Sequence, residues 1–356
     1  MDWDGKVTWQ WGGEKTPEGP ARQNHDWHRL PNGNTLLLVS VKSEIFGKKD
    51  SPDQEVYEVT PDGKIAWKWK ASEHIDEFGF STEGLAYLKK NIGRGLGAAD
   101  GFLTINDLKV VGPNHWFDEG DKRFNPDNLI FDSREANFIA IIDKSSGKIV
   151  WRLGPDFPNP LAAQEAPHSL DRDPVHSRIL QNNVPRPVDQ LSGQHDAQII
   201  LAGLPGAGNL LVFDNQGGAG FPPVGLGIFA GSRVLEIDPI KKEIVWQYTG
   251  ADSDRPVWSF FSSFISSARR LPNGNTLIDE GFNGRLFQVT PQGEIVWEYV
   301  SPYFTHALLA GQKVYSNWVY RAQPVPFDWV PEGTPHADAP VTELDITTFR
   351  VPGVVK

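Results

Sequence analysis

The chain has no cysteine in 356 residues, which excludes disulfides, thiolate metal sites and thiol nucleophiles. It has no apolar run near the roughly 18 residues that a membrane-spanning helix needs. Cations are in the minority, 34 Lys and Arg against 45 Asp and Glu, for a formal net charge of −11 and a pI near 5.3. That balance argues against nucleic acid or an anionic membrane surface as partner, since both call for basic patches. An anionic small substrate stays open, provided one pocket gathers cations. The N-terminus has no charged-then-apolar leader: Met1 runs at once into the strand-like DWDGKVTWQW. This reads as a trimmed start and favours a periplasmic or secreted protein.

What is present is a core-forming composition. The sequence is 39% hydrophobic with thirteen Trp, and Gly (35) and Pro (28) are spread along it as many short turns require. One block recurs: a small turn, Gly, a charged residue, two β-formers and Trp. It reads DGKVTWQW (4–11), TPDGKIAWKW (60–69), SSGKIVWRL (145–153), IKKEIVWQY (240–248) and TPQGEIVWEY (290–299). Its tryptophans are Trp9, Trp67, Trp151, Trp246 and Trp297, at intervals of 58, 84, 95 and 51. A second block, LPNGNT, opens at 30 and 271, and Asn-Gly between apolar runs is a hairpin signal because a tight turn needs positive φ.

Repeats of about 50 residues built from short strands predict an all-β, six-bladed β-propeller, with five or seven blades and a β-sandwich as alternatives. Residues 1–356 are expected to form a single propeller domain. It would carry an inserted loop at about 155–192 and a C-terminal extension at about 323–356. The N-terminal Trp strand is expected to close the ring with strands near 312–322, and the region 75–112 matches the repeat poorly.

In a propeller the first strand of each blade lines the centre, so residues at equivalent strand starts converge. Three histidines are read into that slot: His25 in NHDWHRL, His115 in GPNHWFDEG and His195 in GQHDAQI. Arg134 lies in FDSREANFIAIID, and Phe264 with its flanking serines takes the slot in the last full unit. His74, His168, His176, His306 and His336 share no phase and read as structural. Three imidazoles around one cavity can bind zinc or iron. An adjacent Arg disfavours a cation, and the set suits an oxyanion, with one neutral imidazole as nucleophile. No metal and no cofactor is therefore expected. The Trp blocks read as core, without the stacking pair and calcium carboxylates of a quinone-dependent dehydrogenase.

At these residues the chain resembles the bacterial arylsulfate sulfotransferases, propeller enzymes that do not use the nucleotide sulfate donor. The resemblance rests on NHDWHRLPNGNTLLL, on NHWFDEGDKRFNPDNLIFDSREANFIAIIDKSSGKIVWRLGPDF, on GQHDAQIILAGLPGAGNLLVFDNQG, on ARRLPNGNTLIDEGFNGRLFQVTPQGEIVWEYV and on SNWVYRAQ. It implies ping-pong transfer of a sulfuryl group from a phenolic sulfate ester to a phenol through a sulfated histidine. His195 would then be the nucleophile, Arg134 would hold sulfate oxygens, and His25 and His115 would bind those oxygens or shuttle the phenol proton. Asn114, Phe117, Asp196 and Phe264 would contact substrate. One departure is that the family's Asn two residues after the histidine matched by His115 is Phe117 here, with Asn114 preceding instead. The N-terminal dimerisation domain and cysteine pair of the enterobacterial enzymes are also missing. A hydrolase or lyase acting on another aromatic or sugar ester, and a non-catalytic scaffold, are the alternatives.

Overall fold

Runs such as LIFDS, FIAII and LLVFD are apolar at nearly every position, the pattern of strands buried on both faces. A computed structural model describes residues 1–12, 22–94, 100–155, 186–188, 191–223, 231–309 and 312–335. Its first sheet is an antiparallel meander of β1 (Arg22–Arg29), β2 (Thr35–Ile45), β3 (Lys48–Val59) and β4 (Ile65–Lys70). The second holds β5 (Ile105–Val110), β6 (Leu129–Ser133), β7 (Phe138–Ile142) and β8 (Ile149–Leu153). In the third, β9 (Arg186–Pro187) lies outside β10 (His195–Ile199), β11 (Leu210–Asp214), β12 (Arg233–Asp238) and β13 (Glu243–Tyr248). The fourth is β14 (Ser267–Arg270), β15 (Thr276–Glu280), β16 (Arg285–Val289) and β17 (Ile295–Val300). A two-stranded hairpin, β18 (Thr305–Leu309) with β19 (Gln312–Ser316), follows.

Strand alternation explains how these sheets stack. On β7, Phe138, Ala140 and Ile142 face the first sheet while Ile139 and Ile141 face the third. On β11, Leu210 and Val212 face the second sheet, and Leu211 and Phe213 the fourth. The second and third sheets thus each bury side chains in two cores. The first strands stand side by side, β1 by β5, β5 by β10 and β10 by β14. This is the expected propeller arrangement, all-β with four-stranded meanders. Among the described residues there are four such sheets and one hairpin, and they do not display six blades.

Tryptophans of three repeated blocks have a geometric task, which in the first sheet falls to Trp69, two residues after the repeat's Trp67. The indole N–H of Trp69 donates to Gly147 O at 2.9 Å, Trp151 to Pro239 O at 2.9 Å and Trp246 to Pro291 O at 2.8 Å. In each case the last strand of one sheet is tied to the tight turn before the last strand of the next. Trp9 and Trp11 do the same to Pro61 O and Gly63 O of the first sheet, at 3.0 and 2.9 Å. The N-terminal block therefore occupies an outer-strand place beside the first sheet. It forms no strand among the described residues, and these two indoles tie it to the first sheet. The LPNGNT hairpins are as expected: Gly33 and Gly274 sit at φ +86° and +88° in the β1–β2 and β14–β15 turns.

The region 75–112 departs from the repeat because it holds a helix, α1 (Thr82–Asn91), capped by Ser81 Oγ on Gly84 N at 3.0 Å and burying Leu88. The chain divides into two compact units, residues 9–323 and, separately, Met1–Thr8 with the chain from Pro324. In the smaller, Trp3 meets Trp329 edge to face at 4.9 Å. Most of the expected insert at 155–192, and the expected extension beyond 335, lie outside the described residues. Among the described residues, no helix is long and apolar enough to cross a membrane.

Candidate functional site

One two-residue rung recurs at the start of the inner strands. It reads His25-Asp26 on β1, Asn106-Asp107 on β5, His195-Asp196 on β10, Ser266-Ser267 at β14 and Tyr320-Arg321 in the closing SNWVYRAQ segment. β1, β5 and β10 each break register at this point. His25, Asp196 and Ser266 there adopt φ of +55°, +64° and +92°. Such backbone is held only where surroundings over-determine it.

The second residues of the rungs form an ionic layer. Asp26 Oδ2 accepts from Leu108 N at 2.9 Å and Asp196 Oδ2 from Ala268 N at 3.1 Å, so each aspartate ties its strand to the next. Arg321 occupies the same place in the last rung and reaches three of them: Asp26 at 2.7 Å, Asp107 at 3.4 Å and Asp196 at 3.3 Å. Lys109 bridges Asp107 and Asp196, and Arg269 pairs with Asp196. Burial pushes the Asp107 carboxyl up to about 7 although Lys109 and Arg321 oppose it. Burial pushes Asp196 the same way, but Arg269, Lys109 and Arg321 outweigh it and hold the group well below the carboxylate range. Asp196, expected to contact substrate, is consumed by this layer.

The first residues include the two histidines. Segment 192–196 is fixed from the β6–β7 turn, where Gly193 N donates to Asn137 Oδ1 at 2.9 Å and the Gln194 amide to Ser133 O and Phe138 O at 3.0 Å. That same turn carries Arg134, whose charge acts on His195 although 61 residues separate them in the chain. Arg134 pairs with Glu135 at 2.5 Å, and Gly217 nearby leaves room for Ser263 O.

His195 is buried, with Nδ1 at 2.7 Å from Asn215 Oδ1 and 3.0 Å from Gly193 O. The Asn215 amide nitrogen donates to Ser262 O and Ile265 O, which fixes Oδ1 toward the ring. With two acceptors facing it, Nδ1 carries the proton and Nε2 keeps its lone pair. That lone pair accepts the Ile265 N–H at 3.1 Å. Burial lowers the His195 pKa, the Asn215 hydrogen bond opposes it, and the charges of Arg134, His25 and Arg321 lower it further, to about 3. The ring is neutral at pH 7.

His25 is held the other way. Its Nδ1 lies 2.7 Å from Tyr320 Oη, and its Nε2 points toward the Asp100 carboxylate at 3.8 Å without a hydrogen-bond partner. An N–H facing a carboxylate is favoured and a lone pair there is repelled. Nε2 therefore carries the proton, and Nδ1 accepts from Tyr320. Burial lowers the His25 pKa, with Asp100 opposing and Arg321 and Arg134 assisting. Both histidines thus feel the same two arginines.

His115 does not join them. It starts α2 (His115–Asp118), in the connection after the far end of β5, and packs near Gly208 beyond the far end of β10. Four residues of β10 alone put about 13 Å between that end and His195. The true counterpart of His25 and His195 on β5 is Asn106, which the pattern His/Asn-Asp before a strand would have revealed. Asn114 caps α2, with Oδ1 accepting from Phe117 N at 3.0 Å and its amide donating to Gly112 O and Phe124 O at 2.8 Å. Phe117 lies in the same short helix, under the Lys122 ammonium. The proposed contact roles of Asn114 and Phe117 have no geometric basis at the rung layer. Phe264 does lie there: next to Ile265, it forms an edge-on trio with Phe282 and Trp318, at centroid distances of 5.4 and 5.1 Å. Among the described residues no cluster of three or more His, Asp or Glu is arranged to hold a metal ion.

The profile of the arylsulfotransferase (ASST) family matches residues 1–318. No curated protein matches the chain. Similar solved structures include a protein of unknown function from Bacteroides caccae (13% identity, 72% of this chain and 58% of that chain, TM-score 0.31). Others are a streptogramin B lyase (12%, 76% and 60%, TM-score 0.32) and the Dos1 propeller (9%, 84% and 54%, TM-score 0.39). The chain thus spans 54–60% of the length of these three structures, and at such TM-scores they carry no argument about this chain. The profile match is of another kind, since it runs unbroken through β1, β5, β10 and β14, and by it the chain belongs to the arylsulfotransferase family.

Proposed function

We propose that the protein moves a sulfuryl group from a phenolic sulfate ester to a phenol without a nucleotide donor, and that Nε2 of His195 carries the group in between. The observation that supports this most directly is the tautomer: a buried, neutral imidazole whose Nδ1–H is tied to Asn215 and Gly193 has its lone pair on Nε2. In the first half-reaction Nε2 attacks sulfur, the S–O bond to the aryl group breaks, and the phenoxide leaves with the bonding pair. Nδ1–H, still held by Asn215, stabilises the charge that the ring acquires. In the second, an acceptor phenoxide attacks sulfur and the S–N bond pair returns to Nε2.

Before that can happen the Ile265 N–H must leave the lone pair. Ile265 is β-branched at φ +57°, a conformation that costs about 1–3 kcal/mol. Its N–H is a donor near the reacting atom, and it would pass from the imidazole to a sulfuryl oxygen as that oxygen arrives. Arg134 and the Nε2–H of His25 supply the remaining donors, fixed before the reaction as electrostatic stabilisation requires. A neutral imidazole N–H serves as hydrogen-bond donor here, not as proton source, because removing its last proton is far too costly near neutral pH. The Phe264–Phe282–Trp318 trio is the natural seat for the aryl ring.

The test is rapid-quench intact mass after mixing with a chromogenic aryl sulfate, with and without added phenol. One SO3 gained by the wild type, lost on adding phenol and absent from His195→Asn, is the expected outcome. Aryl release with no adduct and no dependence on phenol would make the enzyme a hydrolase. No release at all would leave a binding scaffold.

A further inference from the structure

We infer that Tyr320 is a positioning residue for this pocket: its hydroxyl, donated to Nδ1 of His25, fixes that imidazole with Nε2–H free for a substrate oxygen. The inference rests on the reading above for its consequence in catalysis, though not for its geometry.

Tyr320 lies just beyond the stretch matched by the family profile. It reaches His25 because residues 319–322 run along β14 and the turn before it. Val319 N donates to Gly281 O at 3.0 Å, Ser266 N to Tyr320 O at 3.1 Å, and Ala322 N to Ser267 Oγ at 3.0 Å. Gly281 is needed for this approach, since a Cβ there would lie 2.2 Å from Val319 O. The next residue, Arg321, anchors the segment from below through Asp26, Asp107 and Asp196, and its NH2 donates to Asn106 O at 3.0 Å. Tyr320 Oη has Asn106 O as its other neighbour, at 3.4 Å. One hydroxyl proton thus has two acceptors, and the 2.7 Å imidazole nitrogen wins over a long contact to a carbonyl that Arg321 already occupies.

The charged and titratable groups facing His25 come from five elements: Asp26 on its own strand, Asp100 ahead of β5, Arg134 at the β6–β7 turn, His195 on β10, and Tyr320 with Arg321. Asn24 holds Asp100 in place with a 2.9 Å hydrogen bond. Asp100 favours a proton on Nε2, and Tyr320 requires a lone pair on Nδ1. The two act on opposite ends of one ring toward the same tautomer. Burial keeps the Tyr320 phenol protonated, so it remains a donor across the working pH range.

The decisive measurement is 15N NMR of the histidines in the full chain, without substrate, for wild type and Tyr320→Phe. In wild type the His25 signals should show Nε2–H with Nδ1 as a hydrogen-bonded acceptor. In Tyr320→Phe the Nδ1 signal should move to that of an unbonded nitrogen, and the pH at which His25 protonates should rise. A wild-type spectrum with the proton on Nδ1 overturns the inference even if the variant does not fold. So does a His25 spectrum unmoved by the substitution. For transfer activity, Tyr320→Phe should lose about tenfold, the size of one neutral hydrogen bond, and none on a His25→Gln background. An equal loss on both backgrounds would mean a merely structural role. If the chain transfers no sulfuryl group at all, the NMR result still stands or falls by itself.

Discussion

His25 and His195 occupy one slot of the same repeat, each followed by Asp and each beside a register break, yet their rings are set up for opposite tasks. Around His195 the neighbours of Nδ1 are two acceptors, Asn215 Oδ1 and Gly193 O, so the free electron pair lies on Nε2. Around His25 the neighbour of Nδ1 is the donor Tyr320, so Nε2 bears the proton. The repeat delivers an imidazole to a place, and the residue opposite its inner nitrogen decides what it does there. The same strand-start motif therefore yields one imidazole with its lone pair on Nε2 and another with its proton there.

This contrast can be broken in stages. The largest effect belongs to the nucleophile: His195→Asn should remove both turnover and the SO3 adduct, as read by intact mass. Arg134→Gln should lower the rate of adduct formation by about 10²–10³, the usual toll of losing one preorganised donor, in stopped-flow release of the chromophore. Asn215→Ala frees the His195 tautomer and should cost about tenfold in the same assay. Its counterpart test is pH. Because His195 is lowered to about 3, adduct formation at pH 5 should stay within about threefold of that at pH 7, where an ordinary imidazole near 6.5 would have lost most of its lone pairs. At the small end, His115→Gln should leave transfer kinetics unchanged, since that residue belongs to the other end of the strands.

A stability measurement sharpens the view of the layer below. Asp279 on β15 is buried with neither carboxylate oxygen hydrogen-bonded, and burial, with the Asp196 charge assisting, raises it to about 8. A raised carboxyl contributes stability below its unfolded pKa, near 4, and that contribution is lost as pH rises through about 8. Asp279→Asn should accordingly raise Tm at pH 8 and leave it nearly unchanged at pH 4, by calorimetry.

The fold was open to reading from sequence because its signals are local. Asn-Gly turns, runs buried on both faces and the Trp blocks each speak within ten residues. At the site, His195, His25 and Arg134 were legible because a strand start preceded by polar residues is also local. His115 misled because an Asn-His before an apolar stretch looks the same whether it begins a strand or caps a short helix. Asn106 was passed over because the search was for imidazole, although INDL keeps phase with NHDW and QHDA. Tyr320, Arg321 and Asn215 were illegible in a stronger sense. Their partners are 295, 125 and 20 residues away, and only the circuit of inner strands brings them together. Resemblance to a family singled out His195 without saying what holds its proton.

Arg321 gives that circuit an order in time. During synthesis the three aspartates it joins emerge well before it, and until it arrives their negative charges share an interior with too few cations. Until then Lys109 and Arg269 alone face these carboxylates, and Arg321 is the cation that joins all three. The layer beneath the pocket is therefore complete only once this rung is in place.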